Sequence, residues 1–243
     1  MRIPRIYLSQ PLICGNDIEL DANALRHVVQ VLRLKPGHPL ILFNGEGGEY
    51  TAELISVERR RATARIGDFQ DISRESKLFT HLGLGISKGE RMDFALQKAV
   101  ELGVSEITPL FTEHCVIQLN DNRALKKQEH WQAVIISACE QSGRNTLPTL
   151  NTSQTFSHWL NSTPGMTKLI LDPAASKTLS MVKLDSPELI LAIGPEGGFS
   201  QTEINQALES SFMGITLGPR VLRTESAAIA SLAAVQSLWG DFA

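Results

Sequence analysis

The apolar positions of the chain follow two different periods, which divide it into two parts. Over the first 70 residues, short apolar runs alternate with polar positions, a pattern typical of half-buried β-strands. It predicts strands at 40–43, 50–57 and 62–66 and favours a small antiparallel barrel. An earlier segment has helical spacing instead and predicts a helix that Asp21 caps and that runs to about Leu34.

In the rest of the chain, predicted strands alternate with predicted helices. The strands are 78–86, 106–111, 168–171, 189–193 and 214–217, and the helices are 90–102, 123–142 and 225–238, the last capped by Thr224. This alternation predicts an α/β domain with a largely parallel sheet. The stretch 70–77 is polar and has no periodicity, so we place a domain boundary there, with domains 1–72 and 73–243.

Composition narrows the class of protein. A chain of 243 residues that is 42% apolar can bury one large core or two modest ones. Its three cysteines form no C-x-x-C pair and its six histidines lack ligand spacing, so we expect neither disulfides nor a metal site. No apolar run approaches the roughly 20 residues of a membrane helix, and no signal segment is visible. We therefore expect a soluble, cytoplasmic protein.

Charge is distributed unevenly along the chain. Residues 1–70 contain nine Lys and Arg against eight Asp and Glu, whereas the remaining residues contain fourteen against eighteen. The formal net charge of −3 argues against a protein that binds any nucleic acid through a broad basic face. An RNA partner would have to be contacted by local groups of arginines.

Two glycine-rich segments near the C-terminus carry the candidate chemistry. Ile193–Phe199 (IGPEGGF) and Leu217–Glu225 (LGPRVLRTE) each follow a predicted strand and lead into a helix, the first through a capping box of Ser200 and Glu203. Loops at the carboxyl ends of parallel strands form the ligand crevice of α/β sheets, and glycine lets the main chain approach a ligand. Neither segment matches a dinucleotide or P-loop motif.

These two segments resemble the RsmE family of 16S ribosomal RNA uridine-N3 methyltransferases, within the SPOUT superfamily. The similarity extends over nearly the whole chain, including residues 27–34, 87–104, 140–144 and 171–173. It implies an S-adenosylmethionine-dependent enzyme with a trefoil-knotted catalytic domain, a PUA-like RNA-binding N-terminal domain and a homodimer. Ser226 stands where we would expect a threonine. The knot is expected from the resemblance alone, because threaded chains are very rare.

We assign candidate site residues on this basis. The predicted cofactor-binding residues are Leu171, Asp172, Pro173, Ile193, Gly194, Pro195, Glu196, Gly197, Gly198, Leu217, Gly218, Arg220, Val221, Leu222 and Thr224. The predicted RNA contacts are Arg2, Arg5, Arg33, Lys88, Arg91 and Arg144. Arg223 is expected to hold the uracil or the phosphate next to it, with Glu225 either pairing that arginine or acting at the helix N-terminus. The alternative is that Arg223 and Glu225 form only a structural ion pair.

Other functions remain open at this level. The expected partner is 16S rRNA or the small ribosomal subunit. A second hypothesis is a non-catalytic RNA-binding protein of ribosome assembly, in which the barrel binds RNA and the C-terminal domain only dimerises. A third, a nucleotide-dependent α/β enzyme, lacks its phosphate-binding motif.

Overall fold

The computed structural model describes residues 3–115, 121–161 and 166–242 and divides into two compact units. The first unit contains the residues up to Glu75 together with Cys139–Leu147, and the second contains Ser76–Ala138 and the residues from Pro148 onward. The boundary that we placed after residue 72 therefore falls inside the first unit. Residues 139–147, which the sequence assigned to the second domain, belong to the first, because a local composition signal does not reveal contacts between distant segments.

The first unit is built on a five-stranded sheet. Its strands are β1 (Arg5–Tyr7), β2 (Asp17–Glu19), β3 (Pro39–Phe43), β4 (Glu49–Val57) and β5 (Ala62–Gln70). They lie in the order β1-β3-β4-β5-β2, and all pairings are antiparallel except β1 with β3, which is parallel. The predicted all-antiparallel arrangement is therefore wrong at one pairing. The alternating apolar side chains form the core as predicted, with Ile6, Leu42 and Leu54 completely buried.

The helix of the first unit begins where the sequence indicates but is less regular than predicted. Asp21 accepts hydrogen bonds from the main chain of Asn23 and Ala24 and caps α1 (Ala22–Leu25). The helix then continues as a π-helical segment, Arg26–Val31, a form that often occurs at functional sites. It ends before Arg33, whose φ of +54° is left-handed and rarely adopted by a residue other than glycine.

The second unit contains a parallel sheet, as predicted. Its strands are β6 (Phe79–Gly85), β7 (Glu106–Phe111), β8 (Thr149–Leu150), β9 (Gln154–Thr155), β10 (Thr167–Leu171), β11 (Glu188–Ile193) and β12 (Met213–Ile215). The order is β12-β10-β11-β6-β7-β8, with β9 also paired to β7, and every pairing is parallel. The strands β8 and β9, of two residues each, were missed because so short a segment shows no period.

Five α-helices begin in the described part of the second unit. They are α2 (Glu90–Glu101), α3 (Asp121–Ser142), α4 (Phe156–Asn161), α5 (Gln201–Glu209) and α6 (Thr224–Trp239). The predicted capping box at the start of α5 is present, since Ser200 and Glu203 bond reciprocally. The predicted cap of α6 is wrong: Arg223 is the N-cap residue and Thr224 is the first helical residue. None of the helices in the described ranges is long and apolar enough to cross a membrane.

The strand order brings three strand ends together. Because β12, β10 and β11 are adjacent and parallel, the loops that follow them leave the same edge of the sheet. The main-chain N–H of Asp172 donates to the carbonyl of Ile215 at 3.0 Å, which joins two of these loops at their start. Both glycine-rich segments therefore meet the loop after β10. The trefoil knot stays a prediction.

Candidate functional site

The three loops after β10, β11 and β12 enclose one cavity of about 320 Å³. All the predicted cofactor-binding residues line it except Gly218. It is also lined by six residues that the sequence analysis did not identify, which are Phe199, Gln201, Ile204, Ile215, Thr216 and Ala227. Gln201 and Ile204 lie one turn apart at the start of α5, so the capping box at Ser200 was the signal that could have located them.

The loop after β11 is folded tightly on itself, and glycine is required for two different reasons. A Cβ atom on Gly194 would lie 2.9 Å from the carbonyl carbon of Gly198, so the loop closes only without a side chain there. Gly198 has a φ of +69°, and its N–H donates to the carbonyl of Pro195 at 2.8 Å. The main chain of this loop is therefore held close to the cavity.

Gly197 serves a purpose that the sequence did not suggest. A Cβ atom on this residue would lie 2.7 Å from the Cβ of His114, so the missing side chain makes room for histidine. The ring Nδ1 of His114 in turn lies 2.9 Å from the Gly197 carbonyl and donates to it. His114 thus supports the loop from outside the cavity.

Glu196 connects this loop to the segment before α2. Its Oε1 accepts a hydrogen bond from the main-chain N–H of Lys88 at 3.2 Å and from Arg91 Nη1 at 3.1 Å. Burial raises the pKa of this carboxyl, but the N–H groups of Glu196 itself and Lys88, with the charge of Arg91, outweigh burial and lower it. The carboxylate form is favoured, and it fixes the loop after β6 against the loop after β11.

Thr224 presents an unsatisfied hydroxyl at the same cavity. The residue is 4% exposed and lines the cavity, and its Oγ1 has no hydrogen-bond partner within the described part of the chain. Buried hydroxyls normally have a partner. A free hydroxyl, main-chain groups of the glycine loop and apolar side chains together fit a ligand with both polar groups and apolar surface, as S-adenosylmethionine has.

The segment 220–226 contributes lining residues both to this cavity and to a second cleft of about 760 Å³. Leu222 and Thr224 line the first cavity, whereas Arg223, Glu225 and Ser226 line the second cleft. Among the residues that the structure describes, Arg223 forms no ion pair with Glu225 or with any other carboxylate. The purely structural ion pair is therefore not observed, and the guanidinium is exposed.

The predicted RNA contacts separate into two groups. Arg5 and Arg144 are 7% and 5% exposed, and their guanidinium groups bond Glu49 and Glu75 respectively. Burial raises the pKa of the Glu49 carboxyl, but the hydrogen bond and charge of Arg5 outweigh it and hold the pKa low. Such arginines are not available to a phosphate, so the RNA-contact prediction is corrected for both: they hold the first unit together.

Three of the four remaining predicted contacts are exposed. Arg33, Lys88 and Arg91 are accessible, although Arg91 is also paired with Glu196. Arg2 lies outside the described residues. No group of three or more His, Cys, Asp or Glu side chains suited to a metal ion occurs in residues 3–115, 121–161 and 166–242.

Comparison with known proteins identifies two domains. A family described as RNA methyltransferase domain matches residues 74–236, and one described as RNA methyltransferase PUA domain matches residues 20–67. The chain is 39% identical to the ribosomal RNA small subunit methyltransferase E of Buchnera aphidicola subsp. Schizaphis graminum, over 99% of this chain and 98% of that protein. It is 29% identical to the protein of the same name from Bacillus subtilis, over 89% and 88%.

Solved structures give the same result. A putative methyltransferase from Legionella pneumophila in complex with the bound cofactor SAM superposes with a TM-score of 0.97 at 42% identity, covering all of both chains. A ribosomal RNA small subunit methyltransferase E from Neisseria gonorrhoeae bound to S-adenosyl methionine gives 0.93 at 42% identity, again covering all of both chains. With two family matches, a full-length relative and the same fold, the chain belongs to the ribosomal RNA small subunit methyltransferase E family of RNA methyltransferases.

Proposed function

We propose that the protein transfers a methyl group from S-adenosylmethionine to N3 of a specific uridine in 16S ribosomal RNA. The observation that carries this proposal is the single cavity formed by the loops after β10, β11 and β12. Relatives with nearly the same fold are described as bound to this cofactor. The cavity is lined by main-chain groups, apolar side chains and the unpartnered hydroxyl of Thr224. These groups match the polar and apolar parts of S-adenosylmethionine.

The protein's own contribution is to bind and orient. When bound, S-adenosylmethionine supplies an electrophilic methyl group on a sulfonium. Gly194, Gly197 and Gly198 bring the main chain to one wall of the cavity, and Leu222 and Thr224 form another. Fixing the reactants in one geometry can lower a reaction barrier by roughly 7–11 kcal/mol. The tight packing of this loop keeps that geometry constant.

Arg223 and Glu225 act on the acceptor. N3 of uracil is a poor nucleophile until its proton leaves, so positive charge beside the developing anion accelerates the reaction. Arg223 is exposed at the N-cap of α6 and forms no ion pair in the described part of the chain, so its donors are available to uracil or to the neighbouring phosphate. Removing such a fixed donor typically costs about 10² to 10³ in kcat.

The expected RNA partner, oligomeric state and compartment are inferred from the family. We expect 16S rRNA, free or within the small ribosomal subunit, to be bound by the PUA-type first unit and by Arg33, Lys88 and Arg91. We also expect a homodimer that acts in the cytoplasm. The match of the PUA family over residues 20–67 supports the RNA-binding role of the first unit.

Nucleoside analysis tests this function directly. Mass spectrometry of 16S rRNA nucleosides from a strain lacking the gene should show the loss of 3-methyluridine, which the wild-type gene restores and the Arg223→Ala variant does not. Calorimetry should show that the purified protein binds S-adenosylmethionine. An unchanged nucleoside profile together with no cofactor binding would favour the non-catalytic assembly protein instead.

A further inference from the structure

The second cleft is large enough to bind a nucleotide and is lined by three helices. Its volume of about 760 Å³ lies within the usual range of ligand sites. Arg91, Phe94 and Gln97 line it from one face of α2, at the spacing of successive helical turns. The start of α6 and one face of α3 complete the cleft.

Two carboxylates that line this cleft are incompletely hydrogen-bonded. Asp93 Oδ1 and Glu225 Oε2 are buried and have no partner within the described residues. A carboxylate oxygen can only accept a hydrogen bond, and buried polar atoms are seldom left without one. Rotation about the last side-chain torsion exchanges the two oxygens of Glu225, so either oxygen can accept a hydrogen bond from a ligand. The cleft therefore suits a ligand that brings hydrogen-bond donors.

Asp93 is also held in a fixed orientation. His130 Nε2 lies 2.8 Å from Asp93 Oδ2 and donates to it. Because that bond occupies Oδ2, Oδ1 is the oxygen left to accept from elsewhere. An oriented carboxylate in a cleft is better suited to recognising one hydroxyl or N–H group than a freely rotating one, since less entropy is lost on binding.

The cleft also offers an aromatic surface and a cation. Phe94 is 44% exposed although it is large and apolar. Exposed aromatic rings on RNA-binding proteins stack on unpaired bases. Arg223 adds a planar set of donors that suits carbonyl or phosphate oxygens. Acceptors, donors and a stacking surface in one cleft match a nucleoside.

We propose that this cleft binds the acceptor uridine, with Phe94 stacked on the base, Glu225 accepting from N3–H, Arg223 donating to a base carbonyl and Asp93 accepting from the ribose 2′-hydroxyl. The proposal rests on the proposed function and adds Asp93 and Phe94 as specificity residues. The N3 proton passes to the Glu225 carboxylate, and Arg223 stabilises the charge left on the base. Cytosine has no N3–H, so it would direct a lone pair at the carboxylate and be rejected.

The test separates acceptor binding from cofactor binding. Asp93→Ala removes the carboxylate acceptor, and Phe94→Leu removes the stacking surface. Leu208→Ala on α5, outside the cleft, is the control. The substrate is 16S rRNA purified from a strain lacking the gene. The measurements are kcat and KM for this RNA, the calorimetric Kd for S-adenosylmethionine and the sedimentation mass.

Both cleft variants should keep the wild-type Kd for S-adenosylmethionine and the wild-type mass, while kcat/KM for RNA falls about tenfold or more. This is the effect expected for a lost hydrogen bond to a charged group in the Asp93 variant and for lost base stacking in Phe94→Leu. Uridine 5′-monophosphate should inhibit the wild type better than its 2′-deoxy and cytidine counterparts. Asp93→Ala should remove the preference for the 2′-hydroxyl. The control should behave as wild type.

Three results would overturn the proposal while leaving the proposed function intact, because the wild type would still form 3-methyluridine. They are unchanged RNA kinetics in both variants, an undiminished 2′-hydroxyl preference in Asp93→Ala, or a changed sedimentation mass in Phe94→Leu. The last would show that this face is a subunit interface rather than a base-binding cleft. Loss of 3-methyluridine formation by the wild type would instead reject the proposed function.

Discussion

The three glycines of the loop after β11 have different physical roles, although none of them has a side chain. Gly198 is needed for its left-handed backbone, since a Cβ there would meet nothing within 4 Å. Gly194 is needed because the loop closes on itself, and Gly197 because His114 packs against it. A substitution at each position should therefore fail for a different reason.

Gly197→Ala tests the packing role of His114. The added methyl would lie 2.7 Å from the His114 Cβ, which cannot turn away as a side-chain tip can, so the loop must shift. We expect calorimetry to show S-adenosylmethionine binding weakened at least tenfold, because a displaced loop loses its main-chain contacts.

Gly214→Ala provides a matched control in the same unit. Its new methyl would lie 3.5 Å from the Ala175 Cβ, an ordinary contact, and should leave the affinity unchanged. Wild-type affinity in Gly197→Ala would show that the loop adjusts freely and that His114 does not support it.

At the scale of the elements, the central strand β6 contains the buried histidine His81. His81 Nε2 lies 2.8 Å from Thr108 Oγ1 and 3.4 Å from Trp159 Nε1. The indole N–H can only donate, so Nε2 acts as an acceptor and the ring is neutral. Burial lowers the pKa of His81, and the charge of Glu106 offsets part of this effect.

This histidine should make the second unit sensitive to acid. The unfolded chain binds a proton near pH 6.5, whereas the folded chain binds it only at lower pH, so unfolding is favoured progressively as the pH falls below about 6.5. We expect urea unfolding to show that His81→Gln loses less stability between pH 7.5 and pH 5 than the wild type does.

His158→Gln, at an exposed site, should keep the wild-type dependence on pH. Parallel pH curves for wild type and His81→Gln would mean that His81 does not control acid stability.

At the scale of the whole molecule, the arginines fall into structural and surface classes. Arg5 and Arg144 neutralise carboxylates inside the first unit, whereas Arg33 is exposed at the end of the π-helical segment. Net charge or motif membership does not distinguish these classes. Only the surface class can contribute to the salt dependence of RNA binding.

Arg33→Ala should weaken binding of 16S rRNA and reduce the slope of log K against log salt by about one, as expected for one lost phosphate contact. Filter binding over a range of salt concentrations measures this slope. Arg65→Ala, which removes an exposed arginine paired with Asp17, is the control and should keep the wild-type slope.

Arg144→Ala should behave differently, because the Arg144 guanidinium bonds Glu75. The midpoint of urea unfolding should fall, and the slope of log K for RNA against log salt should stay unchanged. An unchanged slope in Arg33→Ala would remove Arg33 from the RNA-binding surface.

The sequence by itself determined the parallel sheet of the second unit, the caps at Asp21 and Ser200 and the two glycine-rich loops, because hydrophobic period and cap chemistry are local properties. The resemblance to a known family supplied the activity. The tertiary structure decided what depends on distant contacts. Residues 139–147 belong to the first unit, and Arg5 forms an ion pair with Glu49. His114 packs against Gly197, and a second cleft lies beside Arg223. Burial and partners arise only when segments far apart in the chain meet, and no local pattern records them.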